Sequence, residues 1–245
     1  MTKLLSFIIF SMLICFSAQA KEYTFEKTKL CSYDETLICD LNNIAITGLL
    51  KLYHPNGNIM LEGNYIEGKR EGLQKAYYEN ENLQSEVRFK DNKAQGLGKS
   101  YYKNGNLYSE DYFEKDKLEG LRKVYYENGN LKEETLFKND KREGLAILYY
   151  ENGNVETEVN YKNDKKNGQQ KTYYENGILG VEGNFQNDKM EGFMKSYYLD
   201  GRLAQEVFFS NGNAVSGFTY DTRGYKKKMT NAHLHNLTKD LPKAD

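Results

Sequence analysis

A glutamate recurs every 24 residues through most of the chain, and carboxylates at a fixed spacing are the first candidates for chemistry. The seven members are Glu62, Glu86, Glu110, Glu134, Glu158, Glu182 and Glu206. A row of carboxylates could serve acid–base catalysis or bind calcium. In the hairpin array predicted below, however, consecutive members lie two strands apart, about 9 to 10 Å, with lysines between them. That separation is too wide for sharing one ion, so the pattern favours a ladder of salt bridges.

Tyrosines with the same spacing form a second candidate set. They are Tyr77, Tyr101, Tyr125, Tyr149, Tyr173 and Tyr197. A linear row of exposed rings could bind an extended peptide, a glycan or a layer of lipid headgroups. The alternative is that the rings only shield the strand backbone and the stems of neighbouring lysines. We treat the six as candidate partner-binding residues.

Other residue types do not complete a catalytic or metal site in the sequence. His54 lies at the start of the repeated region, and His233 and His235 form a His-x-His pair without a further ligand near them. The Asn-Asp-Lys stretches resemble calcium-loop material but lack the Gly-rich nonapeptide of calcium solenoids. No Gly-rich phosphate loop occurs. We predict a non-enzymatic protein with no catalytic residue, no metal and no cofactor.

The elements that must position the two rows come from a repeat of 24 residues. Its glycines are Gly48, Gly72, Gly96, Gly120, Gly144, Gly168 and Gly192. Seven copies without insertion fill residues 48–215, and Gly120 to Glu143 is the fourth. A strict period of this length is typical of a repeat array. Positions are counted from the glycine, so that tyrosine occupies positions 6 and 7 and glutamate position 15.

Each copy reads as a β-hairpin. Asn-Gly at positions 9 and 10, Asn128-Gly129 in the fourth copy, predicts a two-residue type I′ turn between apolar-alternating runs. That turn sets Lys123 opposite Glu134 and Tyr126 opposite Leu131. The lysine–glutamate pairing recurs in six copies, and Ile147 replaces the lysine in the fifth. A second turn is predicted at positions 20 and 21.

Alternation along the strands assigns two faces. Positions 5, 7, 12, 16 and 18 form the more apolar first face, which we predict to be the core, and positions 2, 4, 6, 13 and 15 form the second. The predicted fold is all-β: an elongated antiparallel meander of about fourteen strands. Since no helix is available to cover the core face, the sheet must curl. Glycines at position 1, with Gly63 and Gly183 at position 16, favour bending.

Both ends of the chain differ from the repeats. Residues 1–20 are typical of a secretory signal peptide, with Lys3, an apolar stretch and an Ala-x-Ala ending; an uncleaved anchor and lipidation at Cys15 are the alternatives. Residues 21–47 are predicted to be an N-terminal cap with three short strands. Residues 216–245 are predicted to form a divergent hairpin and a short helix from Asn231 to Leu241.

Export has two consequences. Cys31 and Cys39 would meet in an oxidising compartment, and an even pair predicts a disulfide. The destination would be the periplasm, the outer surface or the medium.

Basic and acidic residues balance, 34 against 35, which excludes the electrostatic footprint of a dedicated nucleic-acid binder. Three lysines at 226–228 allow only weak contact with a membrane surface.

The repeat unit, Tyr-Tyr-Glu-Asn-Gly-Asn-Leu followed by Glu, an aromatic, Asn-Asp-Lys and Glu-Gly-Leu, resembles the MORN repeat variant. This type is found in bacterial proteins labelled YwqK-type antitoxins. The resemblance covers all seven copies and implies an elongated sheet that contacts proteins or membranes, without catalytic residues. We therefore expect a scaffold that binds a protein or cell-surface partner. The alternative is an immunity or antitoxin component of the envelope.

Overall fold

The computed structural model describes residues 21–24, 27–31 and 36–240. The predicted signal peptide, with Cys15, lies outside the described residues. So do Phe25, the last residue predicted for the first short strand, and Leu241, the last residue predicted for the helix. Within the described part, no helix is both long enough and apolar enough to cross a membrane.

The repeated region forms one long meander, as predicted. Its strands are β4 (Gly48–Tyr53), β5 (Ile59–Ile66), β6 (Lys69–Tyr77), β7 (Leu83–Lys90), β8 (Lys93–Tyr101), β9 (Leu107–Glu114), β10 (Lys117–Leu118), β11 (Gly120–Tyr125), β12 (Leu131–Lys138), β13 (Lys141–Tyr149), β14 (Val155–Lys162), β15 (Lys165–Tyr173), β16 (Leu179–Gln186), β17 (Lys189–Tyr197) and β18 (Leu203–Ser210). Neighbours along the chain pair antiparallel, except that β10 and β11, which are separated only by Glu119, both pair with β9. The described sheet has 18 strands and is not closed.

The register confirms the charge pairing and corrects the tyrosine pairing. Lys123 lies opposite Glu134 as predicted, but Tyr125, not Tyr126, lies opposite Leu131. The register shifts between Val124 and Tyr125, because a β-bulge absorbs one residue there. Alternation fails at the bulge, and Lys132 lies over the ring of Tyr126, at 5.3 Å, although the two were predicted on opposite faces.

The Asn-Gly tips explain the bulge, and they are not type I′ turns. Gly129 donates its amide to the carbonyl of Tyr126, and Tyr126 donates to the carbonyl of Asn130. Gly129 has φ of 90°, whereas Asn128 is absent from the residues with positive φ. This is a three-residue loop in which a type I turn is followed by a left-handed glycine. In the second copy Glu81 takes the place of that glycine, with φ of 69°.

Type I′ geometry is found instead at the opposite end of the strands. Asn139 and Asp140, at positions 20 and 21, both have positive φ, 50° and 66°. They connect Lys138 to its partner Lys141. A two-residue loop with both central residues left-handed is the type I′ turn, and Asn and Asp tolerate that conformation better than other non-glycine residues. Each copy therefore has two different turns, one at each edge of the array.

The first face is buried only in part: in the fourth copy positions 5 and 16 are buried, whereas positions 7, 12 and 18 are half-buried. Val124 and Thr135 of the fourth copy are 6% and 2% exposed. The glycine at position 1 permits the bend, since Gly144 has φ of 84° where the pairing skips from Thr135–Ala146 to Phe137–Arg142. Gly63 has another role than the predicted one. A Cβ there would overlap the buried side chain of Gln74, so Gly63 provides space for it.

The N-terminal segment pairs with the first repeat and carries its own small sheet. β1 (Glu22–Thr24) runs parallel to β4, which makes the large sheet mixed. β2 (Thr28–Leu30) and β3 (Ile38–Asp40) form a separate pair. A disulfide joins Cys31 and Cys39. Tyr23, Ile46 and Leu50 are buried together here, so the segment covers the end of the repeats.

The C-terminal segment closes the other end. β19 (Asn213–Tyr220) and β20 (Lys226–Lys228) form the predicted hairpin, and α1 (Asn231–Asp240) is the predicted helix. Asn231, the first residue of the predicted helix, begins α1, and Thr230 before it is the N-cap, since the hydroxyl of Thr230 accepts the amide of His233. Leu234 of the helix is buried with Val207 and Phe209 of β18. Among the described residues, this is the one place where a helix covers the first face.

Candidate binding surface

The lysines at position 4 and the glutamates at position 15 form a ladder across the second face, interrupted within the repeats at Ile147. Except beside Ile147 and at the end of the last copy, each glutamate pairs in register with the lysine of its own copy and with that of the next; Glu110, for example, lies opposite both Lys99 and Lys123. The closest contacts are Lys99–Glu110 at 3.2 Å and Lys123–Glu134 at 3.3 Å. The carboxylates that first suggested catalysis or calcium binding therefore alternate with cations.

The six candidate tyrosines at position 6 are half-buried rather than exposed, because each one bonds to this ladder, whereas Tyr53 at the same position of the first copy is 44% exposed. Their hydroxyls donate to the glutamate of the preceding copy: Tyr77 to Glu62 at 2.7 Å, Tyr101 to Glu86 at 3.1 Å, Tyr125 to Glu110 at 2.9 Å, Tyr149 to Glu134 at 3.0 Å, Tyr173 to Glu158 at 3.0 Å and Tyr197 to Glu182 at 2.7 Å. The structure thus brings all six candidate residues into one column whose polar atoms serve copy-to-copy contact.

The environment of this column shifts its titration. Burial, and then the hydrogen bond to the neighbouring glutamate, raise the pKa of Tyr77, Tyr125 and Tyr197 to about 12. Burial disfavours the ionised form of Glu110 as well. Hydrogen bonds from Tyr125 and Lys99 outweigh that effect, and the pKa of the Glu110 carboxyl is lowered. Near neutral pH, the Tyr125 phenol is therefore a neutral donor and the Glu110 carboxylate a charged acceptor.

The tyrosines at position 7 connect each copy to the next through the backbone. Their hydroxyls donate to the carbonyl of the following position-6 tyrosine, as Tyr126 does to Tyr149 at 2.6 Å and Tyr150 to Tyr173 at 2.7 Å. In the first copy His54 occupies this position, and its Nε2 lies 2.9 Å from the carbonyl of Tyr77. His54 therefore makes the same contact with the next copy that a position-7 tyrosine makes elsewhere.

The turns at both edges are also occupied by contacts between copies. The Asn-Gly tips are joined by asparagine amides that donate to the next copy's backbone, as Asn130 does to Glu151 at 2.7 Å. At the other edge, the Asp140 carboxylate accepts the amide of Leu118 at 2.7 Å, and Glu119 accepts that of Asn139 at 2.9 Å. Sequence reasoning had compared these turns to calcium loops, but the carboxylates bind backbone amides.

A row of apolar side chains on the second face takes part in none of these polar contacts. We call it the apolar row: Leu97, Tyr112, Leu121, Leu136 and Leu145, exposed by 49%, 49%, 45%, 41% and 46%. They occupy positions 2 and 17 of neighbouring strands β8, β9, β11, β12 and β13. Leu97 pairs with Tyr112 and Leu121 with Leu136. Leu136 also approaches Gly144, beside Leu145.

Polar residues bound the apolar row on both sides. At the same two positions, Arg88 precedes it on β7, and Asn160 and Gln169 follow it on β14 and β15. The row is therefore specific to copies three to five. Sequence reasoning missed it because only the position-2 leucines recur; the signal that could have revealed it is that position 17 turns apolar in two consecutive copies.

The charge ladder has one gap, and it lies beside the apolar row. Ile147 pairs in register with Glu134 on one side and Glu158 on the other, where the other copies have a lysine. Glu134 retains Lys123 and accepts from Tyr149, and Glu158 accepts from Tyr173 at 3.0 Å. Ile147 is two residues from Leu145 on the same strand, so both side chains lie on the second face.

The arrangement offers a surface rather than an enclosed site. In the ranges that the structure describes, no group of three or more histidine, cysteine, aspartate or glutamate side chains is placed to hold a metal ion. The grooves between the tips are shallow; one is lined by Tyr174, Tyr198, Leu199, Asp200 and Thr222. The fold and this surface define a repeat scaffold, in which copies bond mainly to their neighbours.

Comparison with known proteins identifies the repeat. The MORN repeat variant family matches residues 46–67, 70–91, 94–115, 118–139, 142–163 and 166–187, and the MORN repeat matches residues 182–193. These stretches cover more than half of the chain, and the protein belongs to the MORN repeat variant family. The family match leaves out most of the seventh copy.

Other comparisons add little. No curated protein matches the chain. A chain in the solved structure described as "Crystal Structure of TcdB2-TccC3-Cdc42" is similar at 14% identity and a TM-score of 0.21. The alignment covers 81% of this chain but only 14% of that one. At such a score the likeness supports no conclusion about function.

Proposed function

We propose that this protein is an exported, non-enzymatic scaffold that binds another protein through the apolar row on its second face. The observation that carries the proposal is a contrast between the polar columns of the sheet and the apolar row. Tyrosine, lysine, glutamate and asparagine columns are engaged in contacts between copies, whereas five adjacent apolar side chains remain 41% to 49% exposed. Contiguous apolar surface rimmed by polar residues is typical of protein–protein contact.

The charged ladder and the tyrosine column would form the rim of this interface. Lys123 and Tyr125 lie on the same face as Leu121, at alternate residues of β11. Tyr101, Tyr125 and Tyr149, the candidate tyrosines on strands of the row, would thus lie beside it while their hydroxyls remain bonded to glutamates. Export rests on the signal-peptide pattern of residues 1–20, and the absence of chemistry on the lack of an assembled catalytic set in the sequence.

The test is to remove the apolar row and measure capture. In the triple variant Leu97→Ser, Leu121→Ser, Leu145→Ser, we expect partner capture from envelope or host-cell extracts to fall at least about tenfold, since interface cores dominate binding energy. Circular dichroism should be unchanged. Bound proteins are quantified by mass spectrometry after immobilisation of the purified protein.

The matched control removes three apolar side chains elsewhere that are even more exposed than those of the row. Leu41→Ser, Leu199→Ser and Val215→Ser alter residues that are 61%, 63% and 56% exposed. Capture should survive in this variant. Equal capture by the row variant and the native protein would contradict the proposal, as would equal loss in both variants. The antitoxin alternative rests on the family resemblance alone, and a neighbouring toxin gene that becomes lethal when this gene is deleted would favour it.

A further inference from the structure

We infer that the partner presents an amphipathic α-helix that lies across the strands along the apolar row, with a lysine or arginine that enters the gap of the charge ladder at Ile147. This inference rests on the proposed function and specifies the partner chemistry of the same surface. Its three components are the direction of the row, its length and the missing cation.

The direction of the row favours a helix over an extended segment. The row runs perpendicular to the strands, from β8 to β13, in the interior of the sheet. A strand laid along it would place its own amide and carbonyl groups against leucine side chains, where they find no partners. A helix satisfies its backbone internally and can present one apolar stripe to the row.

The length of the row sets the length of the helix. Five neighbouring strands span four inter-strand spacings, about 19 Å. At about 1.5 Å per residue, that corresponds to about 13 residues of α-helix. One apolar side chain per turn, about 5.4 Å apart, falls close to the strand spacing of about 4.8 Å. A helix of three to four turns would therefore contact every member of the row.

Charge complementarity supplies the position of the basic residue. Glu134 and Glu158 flank Ile147, where the ladder elsewhere places a lysine between each pair of glutamates. The gap begins two residues beyond Leu145, the last member of the row. A lysine or arginine at the end of the apolar stripe can lay its methylene stem on the half-buried Ile147 and its cationic group between the two carboxylates.

The experiment is a parallel selection of helical peptides. A displayed library of stapled peptides about 14 residues long, randomised on one face, is selected on the native protein and on Ile147→Lys, which closes the gap from within. On the native protein we expect an apolar stripe with lysine or arginine fixed at one end. On Ile147→Lys the stripe should persist while the basic residue is no longer enriched.

The outcomes separate this inference from the proposed function. Enrichment of the stripe on the native protein without the basic residue would overturn the inference and leave the docking surface intact. No enriched stripe, or one unaffected by Leu121→Ser, would overturn both. A native protein that is dimeric by light scattering, and monomeric as Leu121→Ser, would identify the occupant as a second copy and overturn the helix.

Affinity measurements then locate the cation. The best peptide should bind Ile147→Lys and Glu158→Gln at least about tenfold more weakly than the native protein, a loss that corresponds to one charge-assisted contact. Lys195→Gln, on the same ladder but beyond the row, is the matched control and should bind normally. Equal affinity of the peptide for Glu158→Gln and for the native protein would show that Glu158 does not bind the basic residue, and would overturn the inference.

Discussion

The two faces of this sheet are formed by alternate residues of the same strands, yet they follow different rules. On the first face, position 16 varies freely among copies, including Thr135, Val159 and Val207, and all three are buried. On the second face, the tyrosine and glutamate columns hardly vary, and they are only half-buried. Burial on the first face accepts any side chain that fits the available space, whereas bonding on the second requires particular atoms at particular places.

The difference teaches how to read a repeated residue. A side chain that recurs in every copy makes a contact that every copy has, namely one to its neighbour. Departures from a column are then the informative positions for function. Ile147 in the lysine column, and Tyr112 and Leu136 at position 17, are such departures, and all three lie in or beside the apolar row.

The largest expected effect comes from deleting a buried ring on the first face. Phe209→Ala should lower the free energy of unfolding by about 3 to 5 kcal/mol, because Phe209 is 1% exposed and its removal leaves a cavity. Phe193→Ala on the second face should cost at most about 1 kcal/mol, the contribution of its edge contact with Phe208. Urea unfolding followed by circular dichroism measures both.

These two variants test the comparison on adjoining residues of β17 and β18. Both changes remove the same number of atoms from the same copy. If Phe193→Ala were as destabilising as Phe209→Ala, the second face would have to be covered by another part of the protein or by a second copy. Native size and circular dichroism of both variants provide the control for gross misfolding.

An intermediate effect is expected from alkaline titration of the tyrosine column. The pKa of Tyr77, Tyr125 and Tyr197 is raised from 10.0 to about 12 in the folded protein. A raised pKa means that the neutral phenol is favoured in the fold. Its contribution to stability is therefore complete below pH 10 and is lost as the pH rises from 10 to about 12.

Ultraviolet absorbance of tyrosinate, with denaturant unfolding at each pH, measures this. We expect a late group of tyrosines that ionise near pH 12, and a loss of stability in the same interval. Tyr125→Phe should remove one late ionisation and weaken that loss, since its ring remains but its bond to Glu110 does not. Tyr225→Phe, an exposed residue, is the control. Ionisation of every tyrosine near its ordinary pKa would contradict the bonded column.

The smallest expected effect is a gain. Ile147→Lys restores the alternation between Glu134 and Glu158 and should raise the free energy of unfolding by about 0.2 to 1 kcal/mol, as exposed pairs do. The gain should diminish in high salt because the pair is screened. Ile147→Met, which keeps an apolar chain, should be neutral. A lysine variant less stable than the native protein would mean that Ile147 is needed for packing.

Much of the fold could be predicted because the same turn and charge signals recur in each 24-residue copy. Opposed charges set Lys123 against Glu134, and the structure has that register. Both turns lie where the sequence predicts them, but the type predicted for the Asn-Gly turn is wrong, because Asn-Gly suits both a type I′ turn and a type I turn with a left-handed glycine. The hairpin loop of three residues shifts the pairing by one, and this moved Tyr125 into the place predicted for Tyr126.

The candidate surface was less predictable, since it depends on neighbours that are distant in sequence. The hydroxyl of Tyr125 meets Glu110, fifteen residues earlier, and nothing in a single hairpin indicates that contact. Only with the copies stacked does the tyrosine column become half-buried and the apolar row remain exposed. Position 17 carries that information in the sequence, but its meaning depends on which strands lie beside it.

The lysines of β20 have a consequence for how the molecule ends. An open sheet leaves a terminal strand whose unpaired backbone could recruit a strand from another molecule and start a fibre. Lys226, Lys227 and Lys228 are all exposed there, and like charges would face one another if two such edges met. Lys226 also lies over the ring of Phe218, at 3.8 Å. Repulsion between these lysines would thus disfavour pairing of two molecules edge to edge.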